Sequence, residues 1–306
     1  MNPNPEPLND WKTKAELTAK GIRRRVLEHT LRHDGGYLSQ ACSSAELFAT
    51  LYLNVMNLGP APQPIVPKPF PGVPSNRNLS YFTGAAFNGP RDPGTDRFIL
   101  SPAQYALVLY AALIETGRMA SEGLEQFNQD GSSVEMIGAE HSPGMEVTTG
   151  SLGQGLSQAA GMAWARKRKG ETGRVWVFMS DGEFQIGQTW ECVESLSHHR
   201  LDNLGIYVDV NRQQCDGTVK SVMNVEPLDE RLRSFGAAVH VVNGHDPAAL
   251  AFPARIPTAG KPLVVLAETS PFQGMPFLAV NAPKFHYVRF KRPEDRAPFE
   301  KALREF

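Results

Sequence analysis

Two oxygen-bearing side chains, Asp181 and Asn211, each follow directly on a predicted strand. Asp181 comes just after the apolar run at 175–179, and Asn211 comes after the apolar run at 204–210. The carboxyl ends of neighbouring parallel strands meet at one edge of a sheet, so we expect these two side chains to lie close together. Mg²⁺ and Ca²⁺ accept carboxylate and amide oxygens, and Mg²⁺ commonly takes one or two protein oxygens together with phosphate oxygens. The pair therefore predicts a metal that bridges the protein and a phosphorylated ligand.

Gly182 and a helical pattern from about Gly187 to His199 follow Asp181. Glycine lets a diphosphate approach the backbone, and the N-terminus of a helix favours its negative charge. Taken singly, Asp181 is as well explained as a helix cap and Asn211 as a turn residue. Their shared position at successive strand ends favours a common role in binding.

The residues around this pair resemble the thiamine diphosphate motif of the transketolase family. The family motif has a Gly-Asp-Gly-like opening, a helix and an asparagine on the next strand, and here 30 residues separate Asp181 from Asn211. Further matching segments are GQTWE at 187–191, HHRLDNL at 198–204 and DGTVKSVMNVEPL at 216–228. The resemblance implies that Asp181, Asn211 and the backbone carbonyl of Gln213 hold Mg²⁺ or Ca²⁺, and that Gly182 lies at the diphosphate of thiamine diphosphate.

Three other segments resemble stretches of the family that contact the substrate. They are HDGGYLS at 33–39, RFILSPAQYALVLYA at 97–111 and GMPFLAVNAPKFHYVRF at 274–290. The resemblance implies catalytic roles for His33, Gln104 and His286, and a diphosphate contact for His286. Gln104 stands where the family has a histidine, so this side chain can hydrogen-bond a sugar but cannot carry a proton as imidazole does.

The segment GAEHSPGMEVTTGSLGQGLS at 138–157 also resembles the family. Its glycines precede a helix rich in small residues at 159–165, which fits close approach of a diphosphate to the backbone. The resemblance implies that Gly150 and Leu152 line the thiazolium and the diphosphate. The glycine spacing does not fit GxGxxG and no strand runs directly into it, which argues against a dinucleotide-binding dehydrogenase.

The chain departs from the family pattern at several positions. Arg32 and Asp34 replace the usual Gly and Pro around His33, and Ile186 replaces an acid that in the family lies between the two cofactors of a dimer. The family's His-Pro motif is absent from 138–142, so either Glu140 or His141 fills its place. The unusual residues at 33–43, 102–105 and 138–142 indicate a specialised substrate. Gln104 leaves open a pyruvate-using thiamine diphosphate synthase or decarboxylase subunit. Ile186 and the altered histidines leave open a non-catalytic partner subunit.

The order of predicted elements is typical of an α/β fold with a doubly wound parallel sheet flanked by helices. Helices are expected at 11–32, 45–56, 228–235 and from 247 to about 254, with strands at 97–101, 238–242 and 263–267 and a short amphipathic helix after Pro293. We predict a flexible arm at 1–10 and one thiamine diphosphate-binding domain at 11–306. Within this domain we expect a Pro-rich excursion at 60–96 and, by the resemblance, a lid-like segment at 271–290.

The whole composition narrows the functional class. The chain has 306 residues and a net charge of −1, so no overall basic field favours nucleic acid or a membrane. Its three cysteines lack metal-ligand spacing, and the N-terminus has no signal-peptide core, which predicts a cytoplasmic protein. By this resemblance, a full-length transketolase contains two domains of this type and a third domain, and this chain corresponds to only the first. The resemblance therefore implies that a C-terminal transketolase subunit supplies the pyrimidine-binding half in an α2β2 heterotetramer acting on sugars or sugar phosphates.

Overall fold

The computed structural model describes residues 10–60 and 63–306. Except for Asp10, the arm predicted at 1–10 lies outside the described residues. The strands, in chain order, are β1 (Gly35–Gly36), β2 (Arg97–Leu100), β3 (Val175–Ser180), β4 (Leu204–Val210), β5 (Gln213–Gln214), β6 (Gly217–Thr218), β7 (Ala238–Asn243), β8 (Leu263–Glu268) and β9 (Val288–Arg289). The α-helices are α1 (Asp10–Arg32), α2 (Leu38–Thr50), α3 (Ala106–Glu115), α4 (Gln154–Arg168), α5 (Gly187–His198), α6 (Val219–Val222), α7 (Leu228–Ser234), α8 (Pro247–Ala251) and α9 (Ala297–Glu305).

Five strands form one parallel sheet in the order β2, β3, β4, β8, β7. Every residue of β3 and β4 is buried, which explains why both strands are continuous apolar runs. Ser180 at the end of β3 pairs with Asp209 in β4, so the residues that follow each strand emerge at the same edge. We call this carboxyl edge of the sheet the rim.

Helices cover both faces of the sheet. Helices α1, α2 and α3 pack on the face that carries Phe178 and Tyr207. Helices α4, α5 and α7 pack on the face that carries Val177 and Ile206. Neighbouring strand residues therefore enter two separate cores, as the predicted doubly wound α/β fold requires. The predicted fold class is confirmed.

Gly205 permits a close contact inside the sheet. A Cβ atom at Gly205 would overlap the ring of Trp176, its direct neighbour in β3. The Trp176 indole N–H donates a hydrogen bond to Asp96, 2.8 Å away, so the ring cannot turn aside without losing that partner. A side chain at position 205 is therefore incompatible with this packing.

Helix α2 begins earlier than the sequence predicted. The expected helix at 45–56 starts at Leu38 instead and passes at Leu51–Val55 into a wider π-helical turn. All residues of α2 are buried, including the polar Ser39, Gln40, Ser43 and Ser44, so its first turns do not show the apolar periodicity that predicts a helix.

The Pro-rich excursion contains little regular structure within its described part, residue 60 and residues 63–96. It has a 3₁₀ turn at Gly84–Asn88, and Ile65 and Pro69 form isolated bridges to Met119 and Ser132. At the other end of the chain, β9 pairs antiparallel with β1, which brings the segment before β9 against the loop after α1. Among the described residues, no helix is both long and apolar enough to cross a membrane.

Candidate functional site

The rim brings Asp181 and Asn211 into one loop cluster, as the sequence predicted from their positions after β3 and β4. Asp181 is buried, and its Oδ2 accepts a hydrogen bond of 2.7 Å from the backbone N–H of Arg212. Its second oxygen, Oδ1, is also buried but accepts no hydrogen bond. A buried carboxylate oxygen without a partner is costly, so this atom marks the place where a cation would fit.

The electrostatics of Asp181 lead to the same conclusion. Burial raises the pKa of Asp181 well above its ordinary value, and the nearby carboxylate of Asp209 raises it further. The backbone N–H groups of Arg212 and Gly182 oppose this rise. Two close carboxylates in a buried site favour a bound cation, because a positive charge would offset both burial and mutual repulsion.

The oxygen and the nitrogen of the Asn211 side-chain amide have different hydrogen-bond partners. Its Oδ1 accepts a hydrogen bond of 2.9 Å from the backbone N–H of Gln213. Its Nδ2 donates to the Tyr105 hydroxyl and to Asp209 Oδ2, both at 3.1 Å. Gln213 begins β5, and its side-chain Oε1 is a second buried oxygen without a hydrogen-bond partner. The three predicted metal ligands therefore lie in adjoining positions and offer oxygen donors of the type that Mg²⁺ and Ca²⁺ accept. No group of three His, Cys, Asp or Glu side chains in the described chain forms a metal cluster.

Asp209 is a residue that the sequence analysis missed. It is fully buried in β4 and accepts hydrogen bonds from the hydroxyls of Ser43, Tyr105 and Thr269 as well as from Asn211. Burial raises the pKa of Asp209, and the three hydroxyl donors oppose the rise. The one available signal was an acid inside the otherwise apolar strand LGIYVDV. Such an acid must find several donors to remain buried.

Glu183, also missed, ties the glycine-rich loop to the rim. This buried side chain accepts from the Ser101 hydroxyl, from the Gly153 backbone N–H at 3.1 Å and from the Ser180 backbone N–H at 3.0 Å. Burial raises the pKa of Glu183, and the three donors oppose that effect. It connects the ends of β2 and β3 to the loop before α4.

The predicted diphosphate-contacting residues lie on loops with special backbone geometry. Gly150 and Gly153 have φ of 106° and 79°, in the left-handed region that glycine adopts without strain. A Cβ at Gly153 would lie 2.8 Å from Ile186 Cγ2, so Ile186 packs directly on this loop. Leu152 is 37% exposed at the loop tip, and a Cβ at Gly182 would meet no atom closer than 3.8 Å. The backbone at Gly182 is therefore open to a ligand, whereas the loop at Gly153 is packed against Ile186.

The three predicted catalytic side chains are not joined by hydrogen bonds or ring contacts in the described chain. His33 is exposed, with its ring 4.2 Å from that of His29, and it lines a cavity of about 230 Å³ together with Tyr37 and Tyr287. Gln104 is half-buried in the 3₁₀ turn that leads into α3.

His286 is half-buried, and its ring meets the ring of Tyr37 edge-on at 5.4 Å. Its backbone carbonyl accepts a 3.1 Å hydrogen bond from the side chain of Gln40. Burial lowers the pKa of His286, whereas Asp216 raises it, so the imidazole is held toward its neutral form. Tyr37 is the residue common to the surroundings of His33 and His286.

Glu140 and His141 both contact the Pro-rich excursion. Glu140 accepts a hydrogen bond from the Tyr81 hydroxyl. The His141 ring lies 4.7 Å from that of Phe70, and its Nε2 is 3.5 Å from Glu135. The excursion thus covers the loop that leads to Gly150, and neither residue is singled out as the replacement for the family histidine.

Comparison with known proteins gives a consistent family. Residues 79–276 match the model of the transketolase, thiamine diphosphate binding domain. A transketolase family protein of Sinorhizobium fredii is 36% identical over 279 residues, which cover 89% of this chain and 90% of that protein. One of the subunits of the apulose-4-phosphate transketolase of Actinobacillus succinogenes is 29% identical over 287 residues, covering 92% of this chain and 93% of that protein.

The crystal structure of transketolase from Campylobacter jejuni superposes with a TM-score of 0.72 at 21% identity. It matches 95% of this chain, which spans only 43% of that transketolase. This likeness supports the fold. Because the domain model matches more than half of the chain, and because the Sinorhizobium fredii protein is 36% identical over 89% of it, the chain belongs to the transketolase family, as its motifs predicted.

Proposed function

We propose that this chain is the N-terminal, thiamine diphosphate-binding subunit of a two-component transketolase. The assembled enzyme would transfer a two-carbon ketol unit from a ketose or ketose phosphate to an aldehyde. The observation that carries this proposal is the buried, unpaired Oδ1 of Asp181 at the rim, inside a domain of the thiamine diphosphate-binding type. A divalent metal is what would give this oxygen a partner.

The metal and the coenzyme would be held by residues of the rim and the adjoining loops. Asp181, Asn211 and the backbone carbonyl of Gln213 would bind Mg²⁺ or Ca²⁺, and Gly150, Leu152, Gly182 and His286 would contact the diphosphate and thiazolium. When bound, thiamine diphosphate supplies the carbanion chemistry that the protein side chains lack. The task of the chain is to position the coenzyme and exclude water.

Proton handling would fall to His33 and His286. Because its pKa is lowered by burial, His286 is neutral near pH 7, where one ring nitrogen can accept a proton and the other can donate a hydrogen bond. The edge-on contact with Tyr37 limits rotation of the imidazole. Gln104 would hydrogen-bond a substrate oxygen without exchanging a proton.

A second polypeptide would complete the site. The apulose-4-phosphate and 6-deoxy-6-sulfo-D-fructose transketolases include relatives named as subunits, and those matches cover 92% and 88% of this chain. We infer a C-terminal transketolase subunit that brings the pyrimidine-binding half, in an α2β2 heterotetramer. In this assembly residues 11–306 act as one domain, the excursion at 60–96 borders the entrance, and residues 271–290 act as a lid. The cytoplasmic location expected from the cysteine content stays a prediction.

The test is the substitution Asp181→Ala in the chain assembled with its partner. Titration calorimetry with thiamine diphosphate and Mg²⁺ should show binding to the wild-type complex and none to the variant. Asp130→Ala, which removes an exposed carboxylate far from β3 in sequence, is the matched control and should bind normally. Undiminished binding by Asp181→Ala would contradict the metal assignment.

Gln104 favours a second candidate, a pyruvate-using synthase or decarboxylase subunit, because it replaces the histidine that transketolases place near the donor. The two functions differ in their product. Release of CO₂ from pyruvate by the assembled enzyme would support the second, whereas transfer from a ketose to an aldehyde without CO₂ would support the first. A complex that binds no coenzyme would favour the remaining alternative, a non-catalytic partner subunit.

A further inference from the structure

We infer that Asp209 is a positioning residue for the metal site: it fixes the carboxamide of Asn211 so that the oxygen, and not the nitrogen, faces the metal. This inference rests on the proposed function, because it concerns a ligand of the proposed metal. The contacts that support it are all between residues of this chain.

The surroundings of Asn211 accept only one orientation of its amide. In the observed orientation Oδ1 accepts from the Gln213 N–H at 2.9 Å, and Nδ2 donates to Asp209 Oδ2 at 3.1 Å. In the reversed orientation the amide oxygen would face the carboxylate oxygen of Asp209, and the NH₂ group would face the N–H of Gln213. Both contacts would then be repulsive, since like hydrogen-bonding groups would meet. The carboxylate at one end and the N–H at the other together determine the orientation.

Asp209 also sets the direction of the hydroxyl groups around Asn211. A carboxylate can only accept, so the Ser43 and Tyr105 hydroxyls must donate their hydrogens to it. Their oxygen lone pairs are then free to accept from Asn211 Nδ2, at 3.4 Å from Ser43 and 3.1 Å from Tyr105. All three groups around the amide nitrogen are therefore acceptors, and this depends on one buried acid.

Hydrogen bonds to both of its oxygens hold the Asp209 carboxylate in place. Its fourth donor, Thr269, contacts the other oxygen, Oδ1, so the carboxylate is held from both sides. The four donors come from separate segments of the chain: α2, the turn before α3, the residue after β4 and the residue after β8. When a residue that hydrogen-bonds to a metal ligand and orients it is removed, metal affinity typically falls about 10- to 100-fold.

The experiment measures Mg²⁺ affinity by calorimetry at saturating thiamine diphosphate, in the chain assembled with its partner. Asp209→Leu, which is close in size but has no acceptor atom, should weaken Mg²⁺ binding about 10- to 100-fold. Asp209→Asn should stay close to the wild type, because its amide oxygen can take the place of Oδ2 while its NH₂ group donates to the Thr269 hydroxyl. Thr269→Val is the matched control: it removes a donor from the same carboxylate but leaves Oδ2 and Asn211 untouched. It should lower the thermal stability of the complex while leaving Mg²⁺ affinity nearly unchanged.

A double substitution distinguishes a lost orientation of the Asn211 amide from general destabilisation of the fold. A carboxylate has an oxygen at either end, so Asp at position 211 needs no orienting partner. Asn211→Asp combined with Asp209→Leu should therefore recover most of the lost Mg²⁺ affinity, which a merely structural role of Asp209 would not produce.

The outcomes are distinguishable. If the wild-type complex shows no Mg²⁺-dependent binding of thiamine diphosphate, the proposed function itself fails. If the wild type binds and Asp209→Leu binds Mg²⁺ equally well, the function stands and the inference is overturned. Equal losses in Asp209→Leu and Thr269→Val, or no recovery in the double variant, would also overturn it. Should Asp209→Leu fail to fold, the smaller Asp209→Ala, which also lacks an acceptor, decides the question.

Discussion

Glu183 provides the sharpest test of how the glycine-rich loop is attached to the sheet. In Glu183→Gln one of the two acceptor oxygens becomes an NH₂ group. Oε1 accepts from Ser101 and the Gly153 N–H, and Oε2 accepts from the Ser180 N–H. Whichever way the glutamine amide turns, its NH₂ group meets a backbone N–H of Gly153 or of Ser180.

Both of the facing donors would then be buried without an acceptor. Each buried unsatisfied donor costs about 1–3 kcal/mol, so the two together should destabilise the fold by about 2–6 kcal/mol. In a chain of this size about 2 °C of midpoint temperature corresponds to each kcal/mol, which predicts a fall of about 4–12 °C. Thiamine diphosphate binding should weaken as well, because the Gly153 loop loses its anchor.

Urea unfolding of the purified chain, followed by circular dichroism, would measure this difference in the free energy of unfolding. Ser101→Ala is the matched control, since it removes one donor and leaves the carboxylate with both backbone partners; it should cost about 1 kcal/mol. A Glu183→Gln variant within about 0.5 kcal/mol of the wild type, at unchanged urea dependence, would refute the proposed anchoring role.

Two further predictions concern the core. Burial, then the neighbouring His33 and Arg32, lower the pKa of His29 from 6.5 to about 4, so the folded state binds its proton less readily than the unfolded chain. Stability should be complete above pH 6.5 and fall by up to about 3 kcal/mol toward pH 4, and His29→Gln should remove this part of the pH dependence in urea unfolding at several pH values. Gly205→Ala should cost about 1–3 kcal/mol in thermal unfolding, because the added methyl overlaps the Trp176 ring; an unchanged midpoint would contradict the packing described.

The sequence predicted the central strands well and α2 poorly, for related reasons. Strands β3 and β4 lie within one residue of the runs expected at 175–179 and 204–210, because a strand buried on both faces is a short uninterrupted apolar run. Helix α2 is also buried on all sides, but its first turns bury polar side chains such as Ser39, Gln40 and Ser43, so the apolar periodicity by which sequence analysis finds a helix begins only later.

The structure describes the surroundings of the predicted catalytic residues but does not test their roles. His33, Gln104 and His286 came from a resemblance to family motifs, and their roles stay predictions. The structure adds that Tyr37 lies in the surroundings of both histidines, and that burial keeps His286 toward neutrality. Neither fact could be predicted from spacing, because β1 and β9 meet only after the chain has folded back on itself.

The sequence by itself determined the parallel sheet, the rim and the meeting of Asp181 with Asn211, because apolar runs and the residues that end them are local properties of the chain. Only the tertiary structure decided which atoms at the rim already form hydrogen bonds within the protein. Asp209 receives its donors from positions between 60 and 166 residues away, apart from its near neighbour Asn211. Hydrogen bonds of that range leave no pattern in a single sequence, yet they decide that Asn211 turns its oxygen, and not its nitrogen, toward the proposed metal.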